Sequence, residues 1–281
     1  MKKIGWIGLG NMGMPMAKNL QKANFNLSVY NRSVDKTTEF IGTNAGVSNT
    51  IAELVKDSDI VFTMVSNDTA ARSVYDEILA IETIDGKLFI DMSTISQQLS
   101  LTIADELKAK QAAFLDAPVA GSTVPAANAT LVIMVGGAAE DLQTALPYLE
   151  KLGQQIKHLG PNGKGIAAKL SVNYFLSILF LGLSEAVLLG EKNGVNRADL
   201  LEIINHSAAG SGATKVKTPV LINEDFTPAF SLNLMLKDIL LAKDNGADYA
   251  LTDALTNAYL QAKEAGHGEN DVISIINCLK D

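Results

Sequence analysis

Six residues near the amino end, Gly8-Leu9-Gly10-Asn11-Met12-Gly13, constrain this chain more than any other stretch. They lie between an apolar run that reads as a strand, Lys3–Ile7, and an amphipathic run that reads as a helix, Gly13–Ala23. Three glycines at this spacing make a strand-to-helix turn that a phosphate can approach closely. The first glycine permits the turn, the second admits the phosphate, and the third lets helix pack on strand. The helix N-terminus then offers backbone N–H groups to the anion. In this context the pattern is a dinucleotide-binding turn, with Gly8, Leu9, Gly10, Asn11, Met12 and Gly13 as the cradle.

Beyond this turn the chain keeps the same alternation. Leu27–Tyr30, Ile60–Val65, Leu88–Met92, Ala113–Leu115 and Leu131–Val135 read as strands. Helical runs lie near Val34–Phe40, Ser96–Ala109 and Glu140–Lys151. Strands alternating with helices imply a mostly parallel, doubly wound α/β sheet. The turn-rich tetrapeptide Gly160-Pro161-Asn162-Gly163 marks a boundary, giving domains 1–161 and 162–281. One long helical pattern then runs from Gly165 to Asn193, roughly 40 Å at 1.5 Å per residue. Arg197–Asn205, Leu232–Asn245 and Ala250–Ala265 continue as helices, so the second domain reads as all-α.

The second strand bears on which dinucleotide is taken. An NAD site places a carboxylate about 20 residues past the glycines, on the ribose hydroxyls. Here that place reads Asn31-Arg32-Ser33, with Lys36 one helical turn on. Arg32 can grip a 2′-phosphate with forked, charge-assisted hydrogen bonds, and Ser33 can add another. The expected cofactor is NADP(H).

The remaining composition excludes more than it assigns. With 23 Lys and Arg against 31 Asp and Glu, the net charge is −8, which gives no support to nucleic-acid or anionic-membrane binding. The most apolar stretch, Tyr174–Leu183, is shorter than the ~20 residues a membrane span needs. A single cysteine, Cys278, and three scattered histidines, His158, His206 and His267, give neither a disulfide nor a metal cluster. The amino end reads without a signal segment, so the expected setting is cytoplasmic. Lys169 and Asn173 lie four apart among Ile166, Ala167, Ala168, Leu170 and Val172, on one face of the long helix. A lysine on an apolar helix face is costly unless it has a task or a partner, or its head reaches water. Asp116, just before Ala117-Pro118, reads as a loop-shaping residue rather than a proton donor.

Four motifs in order and spacing carry a resemblance: Gly8–Leu20 (GLGNMGMPMAKNL), Asp116–Gly121 (DAPVAG), Gly163–Asn173 (GKGIAAKLSVN) and Lys237-Asp238. Over essentially its whole length the chain resembles the β-hydroxyacid dehydrogenase family. Asn31-Arg32 and the Ser122 to Pro125 tract look most like the NADPH-dependent glyoxylate/succinic semialdehyde reductase branch. The resemblance implies a Rossmann domain, a long interdomain helix, an all-α domain, a cleft between them, and a homodimer or homotetramer. It implies Lys169 as the proton-transferring residue, with Asn173 beside it. It places Thr94 near the nicotinamide and Met64-Val65-Ser66 against the cofactor. It puts the carboxylate of a short aldehyde or hydroxy acid on the amides of Gly121, Ser122 and Thr123, with Phe230, Lys237 and Asp238 closing over cofactor and substrate. The chain departs at Ala120, where the family usually has serine, and at Val172, where a second Asn or His is usual. Those two positions leave the particular acid open. A 3-hydroxyisobutyrate dehydrogenase, an imine reductase and a catalytically silent dinucleotide-binding module share the architecture. The last two generally lack the lysine that this chain has at 169.

Overall fold

The computed structural model describes residues 2–280, so Met1 and Asp281, the outer ends of the expected domains, lie outside it. The chain forms two compact units whose division falls after Lys169.

The first unit opens with β1 (Ile4–Ile7), α1 (Gly13–Lys22), β2 (Leu27–Tyr30), a 3-10 helix (Val34–Phe40) and β3 (Gly46–Val47). It continues with α2 (Ile51–Lys56), β4 (Ile60–Thr63), α3 (Asp68–Leu79), β5 (Leu88–Asp91), α4 (Gln97–Ala109) and β6 (Ala113–Asp116). The six strands pair in parallel in the order β3-β2-β1-β4-β5-β6. Every residue of β1, β4 and β5 is buried, as expected of strands with helices on both faces. The order reverses between β1 and β4, and an open sheet of this kind binds ligands past the carboxyl ends of its strands at such a point. Thr50, Asn67 and Ser96 cap α2, α3 and α4 with side-chain oxygens.

Leu131–Val135 does not extend that sheet, as the sequence pattern had implied. It is β8 of a second sheet with β7 (Val119–Ala120) and β9 (Gly153–His158), in the order β7-β8-β9. β7 runs antiparallel to β8, and β9 parallel to it. The chain leaves β6 through Pro118, which has no N–H to continue the ladder, and the Pro118 carbonyl instead accepts the Met134 N–H. Short α5 (Thr123–Ala127) and α6 (Ala139–Leu149) connect these strands.

A single helix, α7 (Lys164–Lys192), begins in the first unit and runs into the second. α8 (Arg197–His206), α9 (Gly212–Asn223), α10 (Leu232–Asp244), α11 (Thr252–Ala262), a π turn (Lys263–His267) and a 3-10 helix (Val272–Cys278) complete the second unit. Its core gathers Phe180, Leu183 and Val187 of α7 with Leu201, Leu221, Met235, Ile239, Tyr259 and Ile273. Beneath them a buried ion pair joins Lys217 Nζ to both oxygens of Asp271, at 2.7 and 2.8 Å.

The apolar stretch within α7 corrects one expectation. Tyr174–Leu183 alone is too short for a membrane, but it sits in a helix of 29 residues that is long and apolar enough to cross one by length and composition. Asn173, Ser177 and Ser184 are buried along this helix, and the core helix of a globular fold passes the same length test.

Candidate active site

At the glycine turn each glycine has a distinct reason. Gly8 sits at φ +100°, and a Cβ there would lie 2.2 Å from the Met64 carbonyl oxygen. A Cβ on Gly13 would lie 2.0 Å from the Gly8 oxygen. Beside Gly10 there is nothing within 4 Å. Two glycines therefore close the turn on itself, and the middle one leaves room for a phosphate. Trp6 lies beneath, donating its indole N–H to the Gly8 oxygen at 2.8 Å and stacking on Phe62. No side chain caps α1 and no acidic residue occupies its first turn, so its N-terminus suits an anionic ligand.

Asn31 lies just past β2 and braces this turn. Its Oδ1 accepts the Leu9 N–H at 2.8 Å and its Nδ2 donates to the Ser33 oxygen at 2.9 Å. Both ends of the amide are therefore engaged in shaping the loop. Arg32, Ser33 and Lys36 stand exposed beyond it.

A buried polar network joins the carboxyl ends of β4 and β5. Asp91 Oδ1 accepts from Thr63 Oγ1 and Ser93 Oγ, both at 2.7 Å. Ser93 Oγ in turn accepts the Val65 N–H at 2.9 Å. This ties the Met64-Val65-Ser66 loop to the one carrying Thr94. The Tyr75 hydroxyl lies 3.0 Å from Thr63 Oγ1, while Asp91 Oδ2 has no hydrogen-bond partner. Burial raises the Asp91 carboxyl above its ordinary range, opposed by its hydrogen bonds from Ser93 and Thr63. Sequence reading missed Thr63, Asp91 and Ser93. The one signal for them was a polar residue closing an otherwise apolar strand.

The segment expected to hold a substrate carboxylate lies directly after β7. Gly121 is exposed at φ +130°, and Ser122 and Thr123 begin α5 with no side-chain cap. Asn19 of α1 donates to the Ala126 oxygen at 2.7 Å, fastening α5 to the glycine-turn helix. At the end of β6, Asp116 is wholly buried and faces the start of α7. Its oxygens accept the Gly163 N–H at 2.8 Å and the Ile166 N–H at 3.0 Å. Burial raises its pKa, and those two bonds oppose the rise. Lys169 lies one turn further along and is 8% exposed.

In the second unit, Asn173, Lys237 and Asp238 come together. Asn173 Nδ2 donates to Asp238 Oδ2 at 2.5 Å, and Lys237 Nζ reaches Asp238 Oδ1 at 2.8 Å. Asp238, expected on the cofactor side, is buried and orients the Asn173 amide. Phe230 packs half-buried against the core, its carbonyl accepting the Val272 N–H.

A turn with room for a phosphate, at the switch point of a parallel sheet, defines a dinucleotide-binding protein. Comparison with known proteins gives the family. Residues 3–160 match the NAD binding domain of 6-phosphogluconate dehydrogenase. Residues 163–279 match the NAD-binding domain of NADP-dependent 3-hydroxyisobutyrate dehydrogenase. The chain is 35% identical to the mitochondrial 3-hydroxyisobutyrate dehydrogenase of Drosophila melanogaster, covering 99% of this chain and 90% of that one. It is 32% identical to glyoxylate/succinic semialdehyde reductase 1 of Arabidopsis thaliana, over 99% and 98% of the two chains. The solved 3-hydroxyisobutyrate dehydrogenase of Mycobacterium tuberculosis with L-serine superposes with a TM-score of 0.90 at 32% identity, over all of both chains. The chain belongs to the β-hydroxyacid dehydrogenase family and is a nicotinamide-dependent oxidoreductase acting on the CH–OH group of small hydroxy acids.

Proposed function

We propose that the chain is an NADPH-dependent reductase, reversible as a dehydrogenase, of a short aldehyde acid such as glyoxylate or succinic semialdehyde. The observation that carries this reading is Lys169, buried on an apolar helix with Asn173 four residues on. A lysine so placed suits proton transfer. The name of the Arabidopsis relative supplies the two example aldehydes.

Gly8 to Gly13 and the start of α1 hold the pyrophosphate. Arg32, Ser33 and Lys36 hold the 2′-phosphate, with no carboxylate in Asn31-Arg32-Ser33 to repel it. Met64-Val65-Ser66 and Thr94 flank the nicotinamide. The bound cofactor supplies hydride to the aldehyde carbon. Lys169, as ammonium, stabilises the negative charge that grows on the carbonyl oxygen and gives that oxygen its proton. In the reverse direction neutral Lys169 takes the proton from the alcohol. Asn173, its amide turned by Asp238, positions the reacting group. The backbone amides of Gly121, Ser122 and Thr123 receive the substrate carboxylate.

The test is NADPH oxidation with glyoxylate and with succinic, methylmalonic and tartronic semialdehydes, in wild type and Lys169→Ala. Turnover of one acid by the wild type, abolished in the variant with NADPH binding kept, is expected. Tight NADPH binding without turnover of any of the four would sink the short-acid reading. Preferential turnover of methylmalonic semialdehyde would favour the 3-hydroxyisobutyrate reading, for which the Drosophila and Mycobacterium relatives speak.

A further inference from the structure

We infer that Asp116 is a positioning residue that sets Lys169 in register with the Gly121–Thr123 segment. The inference rests on the proposed roles of Lys169 and of that segment.

A helix start leaves backbone N–H groups without intrahelical partners, and a side chain at the N-cap usually takes them. Gly163, just before α7, has no side chain, and its φ is +85°. The cap comes instead from Asp116, 47 residues back along the chain. One oxygen takes the Gly163 N–H and the other the Ile166 N–H. Each oxygen is thus an acceptor, which is the work of a carboxylate holding a helix rather than of a proton donor.

The seat is cut to fit. A Cβ on Gly165 would lie 2.4 Å from the Met134 oxygen, 2.5 Å from the Asp116 main-chain oxygen and 2.9 Å from Asp116 Oδ2. A Cβ on Gly136 would lie 2.6 Å from Asp116 Oδ1. No side chain fits at either position while the carboxylate stays where it is. The main chain of Asp116 is pinned as well, exchanging two hydrogen bonds with Gly136 at 2.8 and 3.1 Å.

An α-helix is stiff and turns about 100° per residue with a rise of about 1.5 Å. Holding the amides of 163 and 166 therefore fixes both the depth of Lys169 and the direction of its Cα–Cβ bond. Past Asp116, where β6 ends, the chain turns at Pro118 into β7 and reaches Gly121 five residues on. One carboxylate thus references both the proton-transferring group and the segment that receives the substrate's acid group.

The test compares Asp116→Asn, Asp116→Ala and Gly165→Ala with the wild type, in the full chain. Three quantities are read: kcat and KM for the aldehyde acid, the Kd for NADPH, and the rate at which acetyl N-hydroxysuccinimide labels Lys169, followed by mass spectrometry. Misplacement of about an ångström lowers kcat by up to ~100-fold, so kcat falls from wild type through Asn to Ala while NADPH affinity stays within about twofold. Labelling of Lys169 rises about fivefold, the size expected for a lost helix cap. Gly165→Ala, which leaves the carboxylate in place but pushes the helix off it, behaves like Asp116→Ala and serves in its stead should that variant not fold. Unchanged kcat and labelling in folded variants overturn the inference. So does a loss of NADPH affinity as large as the loss of kcat, which marks a general structural role. Changed labelling in a chain whose wild type turns over none of the acids overturns the reductase reading and keeps the clamp.

Discussion

α1 and α7 both start beside a glycine, and neither carries an acidic residue in its first turn. At α1 no side chain caps the end of the helix, and the space beside Gly10 is open. At α7 the buried carboxylate of Asp116 fills the corresponding place and takes two amides. The same local feature therefore does opposite work. An uncapped start can receive a ligand's phosphates, whereas a start capped by a buried side chain has its amides already taken. What separates them is a tertiary contact, invisible in either local sequence.

Substitutions can break this contrast from either side. Lys169→Ala, on the capped helix, is expected to lower kcat by about 10²–10⁴-fold, the usual range for a general acid, and to leave the Kd for NADPH unchanged. Comparable losses in both would show that α7 also carries cofactor affinity. On the uncapped side Arg32→Ala is expected to weaken NADPH by about 10- to 100-fold, from one charged hydrogen bond, with NADH binding unaltered. Equal effects on the two dinucleotides in an equilibrium titration would remove Arg32 from the 2′-phosphate. Gly10→Ala sharpens the contrast further. Its Cβ has no neighbour within 4 Å among the described residues, so Tm should hold, while overpacking against the phosphate weakens the dinucleotide by about tenfold. A fall in Tm without loss of binding would contradict the open space.

The smallest effect concerns Asp91, whose raised pKa reflects burial. The folded chain holds that proton more tightly than the unfolded one does. Its contribution to stability is therefore present in full below the ordinary carboxylate pKa and is lost as pH rises through the raised value. Asp91→Asn removes this dependence, so its stability relative to wild type should improve from about pH 4 to about pH 7.5. Urea midpoints at the two values decide it, and a variant gaining nothing toward neutral pH would deny the shift.

How much of this could be read in the residues varies by element. Five strands of the six-stranded sheet were legible because its central strands are apolar throughout; β3, two exposed residues at the sheet edge, was not. β9 was not, since GQQIKH exposes polar side chains along a sheet edge, and β7 is two residues long. α9 escaped notice because Pro219 lies inside it. The four-residue spacing of Lys169 and Asn173 on an apolar helix showed a shared face, and the resemblance carried by Gly163–Asn173 supplied their expected role. The distant carboxylates bonded to their helix were not legible, because Asp116 to Ile166 spans 50 residues and Asn173 to Asp238 spans 65. Spacing along one element reveals a shared face, but it cannot say which distant carboxylate arrives there.

Trp6, the chain's one tryptophan, lies fully buried under the glycine turn with its indole bonded to Gly8. Reduced nicotinamide absorbs light in the band where a buried indole emits, and the oxidised form does not. The protein therefore contains its own optical reporter: arrival of the reduced cofactor should quench the tryptophan by energy transfer, and its oxidation should restore the emission without any label.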